Sequence, residues 1–281
     1  MLWLVLLLTL LGACVLVAAR RDRATAREQV RSAERQGRME GALALTLQRL
    51  ADQDTSRVSA LRIPTQDSWV IGGHALNVVV EDEAARIDLN TADAAWITAL
   101  LASSGVDGSR ARKEFARLRA WDRNHSERVS AHAVTSPDER APVGSLQRVD
   151  EAIRLGPLWR WMVKCHQELL TVYSNNGAPT LSSPPKALAA LVKWAHEHTW
   201  DDYTWPDVPS QSTLAQAGQS LAGRIVHITI TEAGSTQMAS PAQESVVRFT
   251  GNPSEPILIY YSEDRDQNDD VDCTALPKDS R

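Results

Sequence analysis

Residues 2–19 read LWLVLLLTLLGACVLVAA, without a charge or a proline, and Arg20, Arg21 and Arg23 follow directly. A helix of this length, at about 1.5 Å per residue, extends for about 27 Å, close to the hydrocarbon thickness of a bilayer. The run therefore predicts a transmembrane segment at 1–19 or a signal sequence. A retained anchor is favoured, because no Lys or Arg precedes the run and the helical pattern continues through the arginines.

Composition places the rest of the chain among ordinary folded proteins. Of the 281 residues, 43% are hydrophobic and 23% are charged, which excludes wholesale disorder. The formal net charge of −5 argues against a general binder of polyanions. Cys14 lies in the apolar run, whereas Cys165 and Cys273 are candidates for a disulfide in an oxidising compartment. From the sequence alone, pairing and two free thiols remain open alternatives.

Residues 20–60 predict a helical stalk that continues the apolar run. The region to about residue 52 has no proline, and helix-forming residues dominate it. Leucines recur there at i, i+4 and i+7, which places them on one face of a helix. The predicted surface for the membrane and for partner helices comprises Leu2, Val5, Leu8, Leu11, Val15, Leu43, Leu47 and Leu50.

Beyond the stalk, the order of patterns is strands, helices and strands, which predicts an α+β fold. Gly72-Gly73 between two apolar stretches predicts a β-hairpin, and residues 224–231, 245–250 and 256–261 predict three antiparallel strands. Between them, Asn90 or Thr91 is predicted to cap a first helix, and 124–142 is predicted to be a surface loop. We therefore expect a small antiparallel-sheet head at 61–90 and 200–281, with an inserted all-helical domain at 91–199.

A succession of short motifs resembles a known family. The motifs are RIDLNTA at 86–92, LL at 100–101, GVD at 105–107, WD at 121–122, LTVYS at 170–174 and LAAL at 188–191. Together with the apolar N-terminal helix and the final strands, they resemble general secretion pathway protein K, a minor pseudopilin of type II secretion systems. The resemblance spans nearly the whole chain, and its specificity comes from the order of the motifs.

The resemblance implies a single-pass protein of the cell inner membrane with a periplasmic C-terminal part. It implies a pilin-like head that assembles with other minor pseudopilins and with the inner-membrane assembly platform. The inserted helical domain would lie at the tip of the pseudopilus, where the protein initiates and caps the fibre during protein export. The arginines after the apolar run, taken by themselves, predict the opposite orientation by the positive-inside rule, so orientation stays open.

The C-terminal tail suggests a calcium loop. Asp264, Asp266, Asn268 and Asp270 stand at positions one, three, five and seven of the loop pattern, where oxygen ligands are expected. The glycine expected at position six is replaced by Asp269, so a solvated acidic tail is the simpler interpretation. The resemblance implies calcium in the head, and calcium is the one cofactor that we keep as an expectation.

Two other interpretations of sequence motifs concern nucleic-acid binding and catalysis. Asn90-Thr91-Ala92 with a turn at 105–108 also looks like half of a helix-hairpin-helix, as in membrane-anchored DNA-binding proteins of competence machinery. An acid, Asp107, stands where a phosphate would approach, so structural packing is favoured and no nucleic-acid partner is expected. His196 and His198 are spaced i, i+2 and point to different helix faces, unlike a metalloprotease pair. No paired carboxylates or nucleophile motif is evident, and no enzyme is predicted.

Overall fold

The computed structural model of the chain describes residues 2–55, 63–130, 145–181, 184–198, 204–207, 221–233, 242–252, 254–265, 272–273 and 276–277. In chain order, the helices of this part are α1 (Leu2–Thr55), α2 (Ala94–Ser103), α3 (Gly108–Ser130), α4 (Pro157–Cys165) and α5 (Lys186–Glu197). The strands are β1 (Thr65–Ile71), β2 (His74–Asp82), β3 (Ile87–Asp88), β4 (Leu170–Thr171), β5 (Ile225–Glu232), β6 (Ala242–Phe249) and β7 (Ile257–Arg265). Short 3₁₀ helices cover Glu83–Ala85, Val149–Leu155 and Gln167–Leu169.

Five strands form one antiparallel sheet in the order β1-β2-β5-β6-β7. The hairpin predicted at Gly72-Gly73 is confirmed, because Ile71 pairs with His74 across this two-residue turn. Both glycines have positive φ (60° and 81°), a conformation that glycine adopts without a steric penalty. The three predicted C-terminal strands are confirmed as β5, β6 and β7, with shifted ends.

The C-terminal half of α1 covers one face of this sheet. Alternation along the strands gives that face an apolar surface, and Val226, Ile228 and Ile230 of β5 have no exposed surface. The helix contributes a matching apolar stripe, and the residues of α1 in this core are Met39, Ala42, Leu43, Leu47 and Leu50. The long N-terminal helix, the antiparallel sheet and their packing are typical of a pilin-like head.

The helical part is inserted between neighbouring strands. The chain leaves the sheet after Asp82 and returns at Ile225, and the two strands that it leaves and rejoins, β2 and β5, pair directly. The insert has its own core, in which Trp96 and Trp159 are fully buried. The predicted limits at 91 and 199 remain a prediction, although Ile87 already contributes to this second core.

Two local expectations were wrong. Helix α2 begins after Asp93 rather than after Asn90 or Thr91, because the side chains of those two residues bind other segments of the insert. The predicted loop at 124–142 begins too early, since α3 continues to Ser130. Polar composition concealed this end of α3, because an exposed helix with few apolar residues lacks the periodic signal that sequence reasoning uses.

Candidate functional site

The N-terminal half of α1 extends away from the head. Every side chain that the structure describes between residues 2 and 34 is exposed, and contact with the head begins near Arg38 and Met39. These 33 residues correspond to about 50 Å of helix. Leu2 and Trp3 are 86% and 84% exposed, so the described residues leave apolar surface of this segment uncovered.

The residues predicted to contact membrane or partner helices fall into three groups. Leu2 and Leu11 are exposed, and the side chains of Val5, Leu8 and Val15 lie outside the described residues. The remaining leucines, Leu43, Leu47 and Leu50, are at most 8% exposed because they pack on this chain's own sheet. The structure corrects their assignment from a partner surface to the head core.

The predicted membrane segment, residues 2–19, forms part of helix α1. Within the part of the chain that is described, no helix is both long enough and apolar enough to cross a membrane.

A buried charge cluster joins the insert to the second face of the sheet. We call it the junction, and it consists of Glu83, Arg86, His227 and Glu244. The ring of His227 lies between two carboxylates, with Nδ1 3.4 Å from Oε2 of Glu83 and Nε2 4.0 Å from Oε2 of Glu244. Arg86 places Nε 3.6 Å from the same Glu83 oxygen and donates a 2.8 Å hydrogen bond to Glu81.

Arg86 and His227 flank the Glu83 carboxylate. Its Oε2 has no partner with hydrogen-bond geometry among the described residues, although two cationic or ionisable groups lie within 3.6 Å. Burial by itself raises the pKa of this carboxyl, but the charge of Arg86, hydrogen bonding and charge from His227, and a hydrogen bond from Thr171 together outweigh burial and lower the pKa to about 2. Glu83 therefore stays ionised at neutral pH and ties the start of the insert to β5.

A polar cavity of about 190 Å³ lies beside the junction. Lys164, Gln167 and Glu168 of the insert line one side, and Thr229 and Glu244 of the sheet line the other. A cavity of this size and polarity has room for several ordered waters. Its wall carries the amide group of Gln167 and charged side chains, some of them in ion pairs. This arrangement suits a hydrated contact between the insert and the sheet.

The motif at 86–92 forms the structural centre of the insert. The buried carboxylate of Asp88 accepts hydrogen bonds at Oδ1 from the backbone amides of Asn90 and Thr91, at 2.8 and 3.3 Å. Its Oδ2 accepts from the hydroxyl of Ser174 and from the backbone amide of Asn175, at 3.2 and 2.7 Å. One carboxylate thus joins 88–91 to 174–175, and burial raises its pKa despite these four donors.

Two neighbouring polar side chains extend the same network. Asn90 donates to the carbonyl of Leu146 and accepts from its amide, each at 2.9 Å, and Thr91 donates to the carbonyl of Asn176. Arg119 of α3 donates to the backbone carbonyls of the motif, at Leu89, Asn90 and Ala92. The motif therefore positions helices, and its polar groups are used within the chain.

The turn at 105–108 has the geometry of a helix start without a free anion site. Gly105 has a φ of +92°, as expected for a residue that ends α2. Oδ1 of Asp107 accepts from the amides of Ser109 and Arg110 and from the hydroxyl of Ser109. These contacts lower the pKa of Asp107. A carboxylate of the chain itself thus occupies the position that a phosphate would take.

A disulfide connects Cys165 at the end of α4 to Cys273 in the C-terminal tail, with Cα atoms 5.5 Å apart. The indole of Trp161 donates to the carbonyl of Asp272, and Leu276 packs against the insert core. The tail that follows the last strand of the sheet is therefore held on the insert. The disulfide and the junction together fasten the insert to the head.

Most of the predicted calcium ligands lie outside the described part of the chain. Asp266, Asn268 and Asp270 lie outside the described residues, and Asp264 is described only as part of the backbone of β7. His196 lies 3.9 Å from a carboxylate oxygen of Asp207 at an exposed helix end. Among the residues that the structure covers, no group of three or more His, Cys, Asp or Glu side chains is arranged to hold a metal ion.

Sequence reasoning did not predict a role for Glu83 or Arg119, and Arg86 entered it only as the first residue of the motif at 86–92. The alternation of β5 placed His227 on the polar face, but its partners come from the start of the insert and from β6. A charged residue next to a predicted buried strand is the signal that points to such partners. Which charges meet depends on how the insert folds back, and that information is not local.

Comparison with solved structures finds a related fold. The chain is similar to a chain of the GspK–GspI–GspJ complex from the type 2 secretion system of enterotoxigenic Escherichia coli, with a TM-score of 0.50 and 10% sequence identity. The likeness covers 85% of this chain and 99% of that chain. No model of a known protein family and no curated protein matches the sequence. At this identity the likeness shows the fold, which is pseudopilin-like.

Proposed function

We propose that the chain is a minor pseudopilin of a type II secretion system, of the general secretion pathway protein K kind, which initiates and caps the periplasmic pseudopilus. The observation that carries the proposal is the fold shared with a component of the GspK–GspI–GspJ complex over 85% of this chain. An order of sequence motifs that resembles the same family supports it independently. The protein works by assembly, without catalysis.

In this proposal each region of the chain has its own part in assembly. The exposed N-terminal half of α1 joins the helical bundle of partner subunits, because the described residues leave apolar surface of this segment uncovered. The head contacts the heads of other minor pseudopilins. The insert, fastened to the head by the junction and the disulfide, caps the tip of the fibre.

We further propose that residues 2–19 anchor the chain in the inner membrane, with lipid and the assembly platform as partners and the head in the periplasm. The support is the uncharged sequence of that segment and the disulfide, since disulfides persist in oxidising compartments. Alkaline phosphatase fused after residue 281 is expected to be active in intact cells. Fluorescence from a C-terminal fusion to a protein that fluoresces only in the cytoplasm would contradict this orientation.

A membrane-anchored DNA-binding protein is the alternative. The capping carboxylate of Asp107 at the α2–α3 turn argues against it, because phosphate binding at a helix start needs free amides and a basic surface. A titration of the full chain in neutral detergent with duplex DNA separates the two functions. Sub-micromolar, salt-dependent binding at physiological salt would favour the alternative.

Loss of the gene tests the proposed function directly. Cells without the gene are expected to retain the proteins that the type II secretion system exports. They should also form few pseudopili when the major pseudopilin is overproduced. The wild-type gene should restore secretion and pseudopilus formation. A matched strain carrying the chain without residues 2–34 should fail to restore them, because the bundle-forming helix is missing. Normal secretion in the deleted strain would refute the proposal.

A further inference from the structure

Six arginines of α1 lie on one side of the helix. They are Arg20, Arg23, Arg27, Arg31, Arg35 and Arg38, and we call this set the arginine stripe. Their spacing of three and four residues keeps them within about 60° of one line on a helix of 3.6 residues per turn. The stripe runs for about 27 Å along the helix axis. Glu34 is the acidic residue that interrupts it.

Between residues 24 and 37 the opposite side of the same segment carries no charged residue, and Asp22 and Glu40 lie on that side at its two ends. Thr25, Gln29, Ser32 and Gln36 occupy it, and all four are exposed. A face that serves only to keep a helix soluble needs no such separation, since charges of both signs distribute around it. The segregation of arginines to one side therefore indicates a directional contact.

The C-terminal residue of the stripe shows which kind of group this side of α1 binds. Arg38 reaches the head, and its Nη2 lies 2.9 Å from Oε1 of Glu232 on β5. Further along the helix, Arg49 likewise pairs with Asp67 of β1 at 2.7 Å. Where arginines of α1 meet this chain's own head, each meets a carboxylate.

The arginines of the stripe that precede the head contact have few carboxylate partners among the described residues. Arg31 lies 3.9 Å from Glu28 of the same helix, and both side chains are 76% exposed. For Arg20, Arg23 and Arg27, the described residues provide no carboxylate within ion-pair distance. The described residues thus leave the arginines at 20, 23 and 27 available for carboxylates of another molecule.

We propose that the arginine stripe docks against an acidic stripe on the stalk helix of a different subunit. This inference rests on the proposed function and specifies the chemistry of the partner: a helix with glutamates or aspartates repeated at i, i+3, i+7 and i+11. A second copy of this chain does not fit, because parallel stalks in register would place arginine against arginine. The stripe thus selects a heteromeric neighbour and disfavours self-association.

A lipid surface is a poorer match for the whole stripe. Charges are screened beyond about 8 Å at physiological ionic strength. If residues 2–19 are in the membrane and α1 continues straight, only Arg20, Arg21 and Arg23 lie within that distance of the headgroups. Arg27, Arg31 and Arg35 lie too far along the axis, whereas a parallel helix meets all of them.

The test uses the full chain in neutral detergent micelles and two stapled helical peptides of identical composition. One peptide repeats the stripe spacing with glutamates on a single face, and its isomer distributes the same glutamates around all faces. Fluorescence anisotropy is expected to show at least about tenfold tighter binding of the striped peptide, the difference that a few exposed ion pairs produce together. Equal binding of the two isomers would overturn the proposal.

Two variants with the same change in net charge separate position from charge. R23Q/R27Q/R31Q removes three positive charges from the stripe, and T25E/Q29E/S32E adds three negative charges on the opposite side. The first variant should lose the preference for the striped peptide, and the second should keep it. If both variants lose it to the same degree, general attraction explains the binding and the proposal fails.

A lipid arm and the secretion assay complete the test. Adding phosphatidylglycerol to the micelles should leave the peptide preference in place, and its abolition would assign the stripe to headgroups and contradict the proposal. If the wild-type chain restores secretion but shows no isomer preference, the proposed function stands and the stripe inference falls. If the chain prefers the striped peptide but secretion is normal without the gene, the proposed function falls. The arginine stripe then remains a surface that selects acidic helices.

Discussion

The carboxylate of Asp88 accepts four hydrogen bonds from two segments that are more than eighty residues apart in sequence. We predict that Asp88→Asn lowers the free energy of unfolding by about 1–3 kcal/mol, because the new amide group would face a backbone N–H or a hydroxyl donor. Urea unfolding followed by tryptophan fluorescence measures the loss. The control Asp93→Asn removes the same charge from an exposed side chain that makes no capping hydrogen bond, and should change stability by less than about 0.5 kcal/mol.

The depressed pKa of Glu83 predicts acid sensitivity at the junction. Its pKa falls from 4.5 to about 2 on folding, so its contribution is complete above the unfolded value and is lost as pH drops from about 4.5 to 2. The gap corresponds to about 3 kcal/mol. Between pH 6 and 2, wild-type stability should therefore fall by that amount more than the stability of Glu83→Gln.

Comparing the wild type with Glu83→Gln separates the contribution of Glu83 to acid sensitivity from the contributions of the other carboxyl groups. The raised pKa of Asp88 acts in the opposite direction, since its protonation at low pH relieves the cost of burial, but this effect is common to both proteins. Glu81→Gln serves as the control, because it removes a carboxylate that is one-third exposed and pairs with the same arginine. An unchanged acid profile in Glu83→Gln would contradict the charge assignment at the junction.

At the scale of elements, periodicity predicted α1 and its apolar stripe but not the partner of that stripe. Leu43, Leu47 and Leu50 have a helical spacing that any apolar surface would satisfy, and the sheet of the same chain supplies that surface. The β1–β2 hairpin was predictable because its turn chemistry is local. The cap of α2 was not, since Asn90 is used by a segment 56 residues away.

The disulfide is the element-scale link with the simplest test. The chain has three cysteines, so the native protein should show one free thiol, Cys14, when it is unfolded without reductant. Cys165→Ser or reduction should lower the free energy of unfolding by about 4 kcal/mol, because the bond closes a loop of about 100 residues. Cys14→Ser is the control and should leave the response to reductant unchanged. Three titratable thiols in the unreduced protein would contradict the link.

For the whole molecule, the order of strand and helix patterns was sufficient to predict an antiparallel head interrupted by helices. It could not predict how the two parts are fastened, because the junction joins Glu83, at the start of the insert, to His227 of β5, whose ring also lies near Glu244 of β6. The candidate site was likewise predictable only in outline. A long exposed helix follows from composition, whereas the arginine stripe becomes meaningful once Arg38 is seen to meet a carboxylate of the head.

The central claim is that this chain functions by assembling with other minor pseudopilins. The most direct measurement is affinity purification of the full chain, solubilised from membranes of cells that produce the other minor pseudopilins of the same system, followed by mass determination of the intact complex. We predict a defined heteromeric complex that R23Q/R27Q/R31Q weakens more than T25E/Q29E/S32E does. A correctly folded chain, with its disulfide formed, that purifies alone or only with copies of itself would contradict the account.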